Sequence, residues 1–175
     1  MTATFTEAWF SDHSQHALAE LARSVNVEGD FVEVGCWEGR STIALANSIA
    51  PTALHAVDTW QGSPGEISAD LAAQRDVYST FTRNIGAATA GNVEVHRMGW
   101  RDYFAANRRP LAFLHIDATH SYQEVRDNIE TALELLVPGG LLCGDDNHHP
   151  PVRDAVWDTL GNAWLAASLW YWRKE

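Results

Sequence analysis

The chain has 175 residues, of which 46% are apolar and 20% charged, and its formal net charge is −11. These values suit a single globular domain spanning 1–175. The negative charge works against nucleic acid or an anionic membrane as main partner, because both would repel it. Cys36 and Cys143 are too few and too far apart for a disulfide framework, and residues 1–10 hold acidic Glu7 and lack the apolar stretch of a signal peptide. No apolar run approaches the roughly 20 residues of a membrane span, so a cytoplasmic location is expected. Lysine occurs once, at Lys174, which excludes a Walker-type phosphate loop and a Schiff-base lysine in the active site. Arg97, Arg101, Arg108 and Arg109 could form a local basic patch, but a solvated surface is the reading adopted for them.

Residues 11–25 read as an amphipathic helix capped by Ser11 or Asp12, with Leu18, Leu21, Ala22 and Val25 on one face. Asp30 to Val34 is a buried strand that runs into a turn at Gly35, and 40–49 is a helix that stops before Pro51. A second strand covers 54–58. The polar stretch 61–70, with Gly62, Pro64 and Gly65, reads as a mobile loop, and 71–85 as a helix with Val77, Phe81 and Ile85 at four-residue spacing. Strands follow at 93–97 and 111–117. A helix over 121–136 ends at Pro138-Gly139-Gly140, and a fifth strand covers 141–144. Pro151 opens another helix, and 164–172 is a terminal strand or tight hairpin. This alternation predicts an α/β fold, a mostly parallel central sheet with helices on both faces. Such a sheet binds its ligand outside the carboxyl ends of its strands.

The first strand ends in Glu33-x-Gly35-x-x-x-Gly39. Glycines there let the backbone approach a ligand, and the following helix offers free N–H groups. Asp58, at the end of the second strand, stands about 20 residues further on, where an acidic side chain can accept hydrogen bonds from both ribose hydroxyls of an adenosine. A capping or solvated Asp58 is the alternative. A dinucleotide site would carry glycine where Glu33 stands, and a pyrophosphate would be repelled there. The sulfonium and ammonium groups of S-adenosylmethionine suit the acidic loop better.

Four segments resemble the motifs of class I S-adenosylmethionine-dependent methyltransferases: Phe-Val-Glu33-Val-Gly35-Cys-Trp37-Glu-Gly39-Arg-Ser41-Thr, Ala-Val-Asp58-Thr59-Trp-Gln-Gly62, His-Ile-Asp117-Ala-Thr-His120-Ser-Tyr122, and Pro138-Gly139-Gly140-Leu-Leu-Cys-Gly-Asp145-Asp146. Together they are similar to the macrocin-type sugar O-methyltransferases and, more distantly, to the catechol O-methyltransferases, over roughly residues 30 to 150. The resemblance implies the Rossmann-like fold of that class. It places Gly35 and Gly39 beneath the methionine moiety, Glu33 and Ser41 near its amino and carboxylate ends, Asp58 with the neighbouring Thr59 at the ribose, and Gly99 and Trp100 against the adenine. Asp117, Asp145 and Asp146 match the positions that hold Mg²⁺ in metal-dependent members, with Asp117 beside the cofactor as well. His120 stands where catechol-type enzymes carry a lysine.

The charges agree with that picture. Three carboxylates at the ends of the fourth and fifth strands would repel one another, and a hard cation relieves the repulsion. The alternative leaves Asp145 alone in the cleft and makes Asp146 a cap. His120, with an imidazole that titrates near neutral pH, is the candidate base. Its alternative is a structural histidine, and His148 and His149 are either further candidates or plain loop residues. Trp37, Trp60 and Trp100 each follow a strand on the ligand edge, as aromatic walls or as packing. The later Trp157, Trp164, Trp170 and Trp172 read as core or interface residues.

The expected reaction is methyl transfer to a hydroxyl of a small molecule, a sugar unit or a natural-product intermediate, with metal assistance and His120 accepting the proton. A non-catalytic cofactor-binding module, or an enzyme that uses the cofactor for other chemistry, remains open. The tail looks too short for full sixth and seventh strands. Little beyond the 61–70 loop is then expected to contact substrate, unless a second subunit of a homodimer covers the cleft.

Overall fold

In a computed structural model that describes residues 2–175, seven strands make one sheet. They are β1 (Asp30–Val34), β2 (Leu54–Asp58), β3 (Val93–Arg97), β4 (Leu111–Ile116), β5 (Leu136–Gly144), β6 (Trp164–Ala166) and β7 (Leu169–Arg173). Their order is β3-β2-β1-β4-β5-β7-β6. The first five strands run parallel, and β7 enters antiparallel beside β5. All of β4 and all but one residue of β1 and of β2 are buried, the pattern of strands covered on both faces.

The covering helices are α1 (Asp12–Arg23), α2 (Arg40–Ile49), α3 (Ile67–Gln74), α4 (Val77–Ala88), α5 (Trp100–Ala106), α6 (Tyr122–Leu135) and α7 (Pro150–Leu160). On one face Tyr103 of α5, Ile129 of α6 and Val156 of α7 pack with Val32, Leu114 and Leu142. On the other, Leu18 of α1 and Leu45 of α2 pack with Phe31, Phe113 and Leu141, and Phe81 of α4 packs with Ala56. Local signals start these helices. Ser11 Oγ accepts the Ser14 N–H at 3.0 Å, and Ser121 Oγ accepts the Glu124 N–H at 3.3 Å, each satisfying an amide that the first turn leaves free.

Several expectations change. The helix expected over 71–85 is two helices, because Asp76 Oδ1 accepts the Ser79 N–H at 3.0 Å and caps a fresh start at Val77. The 61–70 stretch is ordered, and α3 begins inside it. α5 follows β3 without having been expected. β5 begins at Leu136, which pairs with Leu111, so Pro138 to Gly140 lie within the strand and do not precede it. The tail does suffice for β6 and β7, because those strands have only three and five residues.

Glu33 is a fully buried carboxylate within the sheet. Strand alternation turns it to the same face as Phe31, under α2. Its carboxylate accepts a hydrogen bond from the Thr42 hydroxyl and lies 3.2 Å from His115 Nδ1, with both side chains fully buried. Burial pushes the His115 imidazole down in pKa, while the hydrogen bond and charge of Glu33 push it up, and the net direction is up. Glu33→Ala leaves that histidine buried without its partner. The loss should be about 3–5 kcal/mol of stability, read from the midpoint of urea unfolding.

Candidate active site

The strand order reverses between β1 and β4, and the site forms there. Gly35 has φ +87°, and a Cβ on it would lie 1.9 Å from the Asp117 carbonyl oxygen. Its N–H donates to Val57 O at 3.0 Å, while the Asp117 N–H donates to Val34 O at 2.8 Å. Only glycine lets the ends of the two central strands come this close. Above them opens a cleft of about 540 Å³. Of the cofactor residues expected from sequence, Gly35, Trp37, Ser41, Asp58, Thr59, Gly99, Trp100 and Asp117 line it.

Glu33 and Gly39 are not among the lining residues. Glu33 is held beneath the sheet surface by Thr42 and His115, so its expected place at the cofactor's amino group is corrected. Gly39 takes φ +90° at the N-cap of α2, where an added Cβ would press on the Phe81 ring at 3.1 Å. Its task is close packing of α2 on α4. Asp58 is also more occupied than expected. Its Oδ2 accepts the N–H groups of Cys36 at 2.8 Å and Trp37 at 3.0 Å, and its Oδ1 accepts the Trp60 N–H at 2.7 Å. A carboxylate has about four acceptor positions, so one is left for a ribose hydroxyl where two hydroxyls were expected. Asp58 is first the clamp of the glycine turn. That turn carries Trp37 at φ +47°, a left-handed conformation uncommon for a residue with a side chain.

At the other side of the cleft the strand ends of β4 and β5 bring Asp117, Asp145 and Asp146 together, one oxygen of each within 4.8 Å of the other two. Burial and the neighbouring Asp145 charge push the Asp117 carboxyl up to about 8. Asp145 Oδ1 is buried without a hydrogen-bond partner. Asp146 sits at φ +60° and points to His120, whose Nε2 lies 2.7 Å from Asp146 Oδ2. The other face of that ring meets a residue not singled out from sequence. Glu66 Oε2 is 3.0 Å from His120 Nδ1, and Glu66 Oε1 accepts the His120 N–H at 3.0 Å. Burial raises the Asp146 carboxyl, but the hydrogen bond and charge of His120 outweigh it and hold Asp146 below the usual carboxylate range. The Asp146 hydrogen bond, against the opposing effect of burial, raises His120 to about 9. His148 lines the cleft with Nε2 3.8 Å from Asp146 Oδ1, and the His149 ring lies 5.1 Å from that of His120 at the N-cap of α7.

The segment before α1 supplies a wall that sequence reading missed. Thr6 N–H donates to Glu38 Oε2 at 2.6 Å, and Asn84 Nδ2 donates to Thr4 O at 2.8 Å. Glu7 accepts from Trp37 Nε1 at 3.0 Å and from Arg75. Phe5, Glu7 and Trp9 thereby line the cleft, with the Trp9 ring 5.3 Å from Trp37. No spacing in the sequence marks these contacts, which join residues 28 or more apart. Ser63 Oγ donates to Ala118 O at 2.9 Å and, with Glu66, fastens the 61–66 segment to the Asp117–His120 turn. Trp100 is a cleft wall, its Nε1 donating to Glu124 Oε2 at 3.1 Å, whereas Trp60 is buried against Phe81 and belongs to the core. The arginines weighed as a patch are engaged: Arg101 with Glu124 and Asp127, Arg108 with Glu134, Arg109 with Asp30, and Arg97 over the Tyr78 ring.

The His120 arrangement sets a pH dependence. Its folded pKa is raised from 6.5 to about 9, so its stabilising contribution is full below about 6.5 and fades as pH rises through about 9. In metal-free protein kept in chelator, the stability difference between wild type and His120→Gln should narrow steadily from pH 6.5 to 9.5 in urea titrations. A difference that widens over that interval would contradict the assignment.

Comparison with known proteins agrees with this geometry. A methyltransferase-domain family matches residues 32–147. A search of curated proteins finds no match. Among solved structures, the O-methyltransferase NovP is 21% identical, with a TM-score of 0.69 over 92% of this chain and 80% of its own. TomG from Streptomyces achromogenes, an O-methyltransferase of tomaymycin synthesis solved with SAM, is 17% identical, with a TM-score of 0.65 over 95% of this chain and 82% of its own. CalS11, a TDP-rhamnose 3'-O-methyltransferase of calicheamicin biosynthesis, is 18% identical, with a TM-score of 0.62 over 94% of this chain and 81% of its own. These likenesses are to the fold, and the family match covers most of the chain, glycine turn, Asp58 and carboxylate cluster included: the chain belongs to the methyltransferase-domain family and uses S-adenosylmethionine as its methyl donor.

Proposed function

We propose that the protein transfers the donor's methyl group to a hydroxyl oxygen of a small molecule. The observation that carries this reading is the convergence of Asp117, Asp145 and Asp146 beside the Gly35 turn, where donor and acceptor would meet. A binding module would need only the first two strand ends. The O-methyltransferases among the structural neighbours support the oxygen acceptor, and those acting on a sugar or in natural-product synthesis support its class.

The donor's methionine end would lie over Gly35 and against Ser41, at an α2 N-terminus that no side chain caps and whose first turn has no acidic residue. Asp58 would take a ribose hydroxyl with its remaining acceptor position, beside Thr59, and Gly99 and Trp100 would flank the adenine. Trp37 would supply an aromatic face near the sulfonium. The acceptor would enter beside His120 and the Trp9–Trp37 wall. Holding its oxygen in line with the methyl carbon is the chief task of these walls, because orientation can supply much of the rate enhancement. His120 would take the hydroxyl proton. For that, the ring must first give up the proton that Asp146 holds on it and free that nitrogen from its carboxylate.

The carboxylate cluster fits a divalent cation. Asp145 Oδ1 is buried and unpartnered, and the mutual repulsion that raises Asp117 would be relieved by one. Mg²⁺ held by Asp117, Asp145 and Asp146 would supply positive charge that lowers the pKa of an acceptor hydroxyl. In the cleft the rest of the work falls to the side chains themselves. No helix among the described residues is long and apolar enough to cross a membrane.

Incubation with methyl-labelled S-adenosylmethionine and a panel of hydroxylated sugars and phenols should give a labelled ether and S-adenosylhomocysteine. His120→Asn should lower that rate by about 10²–10⁴-fold without weakening donor binding in calorimetry. Formation of methylthioadenosine with no labelled product would overturn the reading in favour of other chemistry at the sulfonium. Addition of Mg²⁺ with donor present should raise the thermal midpoint of wild type, and Asp145→Asn should abolish the rise. Full activity after exhaustive chelation would remove the metal from the mechanism.

A further inference from the structure

Away from the cleft, His55 near the amino end of β2 meets His96, which stands near the carboxyl end of β3. His55 stands across from Glu94 in the β2–β3 register, and His96 lies two positions beyond Glu94. Strand alternation puts Glu94 and His96 on one face, the face that α5 covers. His55 Nδ1 is 3.1 Å from His96 Nε2 and 3.5 Å from Glu94 Oε2, and one ligand atom of each residue lies within 4.8 Å of the other two. None of the three lines the cleft. Around them stand the Tyr103 ring, 4.8 Å from that of His96, and Asp30. One Asp30 oxygen is 3.9 Å from His55 Nε2, and the other takes Arg109 at 2.9 Å.

Two imidazole nitrogens pointing at each other can share one hydrogen, and that alone would explain a pair. It does not explain the carboxylate that joins them. Four ligands around Zn²⁺ at ~2.0–2.2 Å stand about 3.3–3.5 Å from one another. The observed separations from His55 Nδ1, 3.1 Å to His96 and 3.5 Å to Glu94, lie within a few tenths of an ångström of that spacing, and the third pair lies within 4.8 Å. A histidine that binds metal through one nitrogen usually turns the other toward a carboxylate. Asp30 is the carboxylate nearest that nitrogen of His55, at 3.9 Å, close enough to act on it through charge. We propose that His55, His96 and Glu94 form a second cation site, for a transition metal of the Zn²⁺ type, with its fourth position open to water. Two nitrogen ligands select against Mg²⁺, which sets this site apart from the oxygen cluster at the cleft. His55 is buried while the Glu94 side chain is 60% exposed, so the ion would be anchored at the sheet and reached from solvent. Because β3 is an edge strand, the metal would tie that edge to β2.

The test uses the whole chain, stripped with chelator and titrated with Zn²⁺ against a chromophoric competitor. It is run both in wild type and in Asp145→Asn, so that the cleft cluster is not counted. One equivalent should remain in Asp145→Asn. His96→Gln and the solvent-facing Glu94→Gln, each added to Asp145→Asn, should weaken that equivalent at least about tenfold. The imidazole resonances of His55 and His96 should shift with bound Zn²⁺, and the thermal midpoint should rise in Asp145→Asn and not in Asp145→Asn/His96→Gln. Glu94→Gln carries the test if His96→Gln fails to fold. Zn²⁺ affinity unchanged by both substitutions, or imidazole resonances that ignore the ion, would reduce the cluster to a hydrogen-bonded pair and overturn the proposal.

Discussion

A side chain at position 35 would have to occupy the space of the Asp117 carbonyl oxygen. That exclusion lets the two central strands finish side by side, with the Asp117 N–H donating to Val34 O across the junction while the Gly35 N–H donates to Val57 O of β2. The chain after Gly35 is then thrown outward, and its next two amides turn onto Asp58. One missing methylene thus sets the height of the cleft floor, the curl of the turn above it and the position of Asp117 beside Asp145. The three ligand-edge features of the fold are one geometric event.

The charges arranged on that floor are poorly balanced by the chain itself. Asp117, Asp145 and Asp146 meet with His120 as the nearest cation, and Glu66 claims the other side of the same ring. Buried like charges are costly, and a fold keeps them only when another partner compensates. Glu33 shows what compensation within the chain looks like, with Thr42 and His115 meeting its carboxylate. The cleft lacks such pairing at Asp145, whose Oδ1 is buried with no partner, and this imbalance is what the proposed cation would offset.

The strands and the carboxylates at their tips were legible in the sequence because both depend on short-range patterns: apolar runs, a glycine after the first, acidic residues after the second, fourth and fifth. Glu33 was misplaced because its chemistry was read before its parity. Because Val32 and Val34 turn to the face covered by α5, α6 and α7, alternation puts Glu33 with Phe31 on the face covered by α1 and α2. The division between α3 and α4 had a local sign, Asp76 three residues before Ser79, which the continuous spacing of Val77, Phe81 and Ile85 masked. Glu66, Glu7 and Trp9 had none. Their partners lie 28 to 68 residues away in the chain, and only the folded sheet brings them into reach.

Among the described residues, α3 is the helix with no buried residue. Its approach from β2 is fastened by Ser63 on Ala118 and Glu66 on His120, contacts made by side chains at the rim of the cleft. Releasing it therefore exposes little apolar surface and leaves every strand pairing intact. The sheet and the rim thus keep separate free-energy scales. Strand pairing and buried packing hold the architecture, whereas a handful of polar contacts holds the rim, so the rim can open without the sheet coming apart.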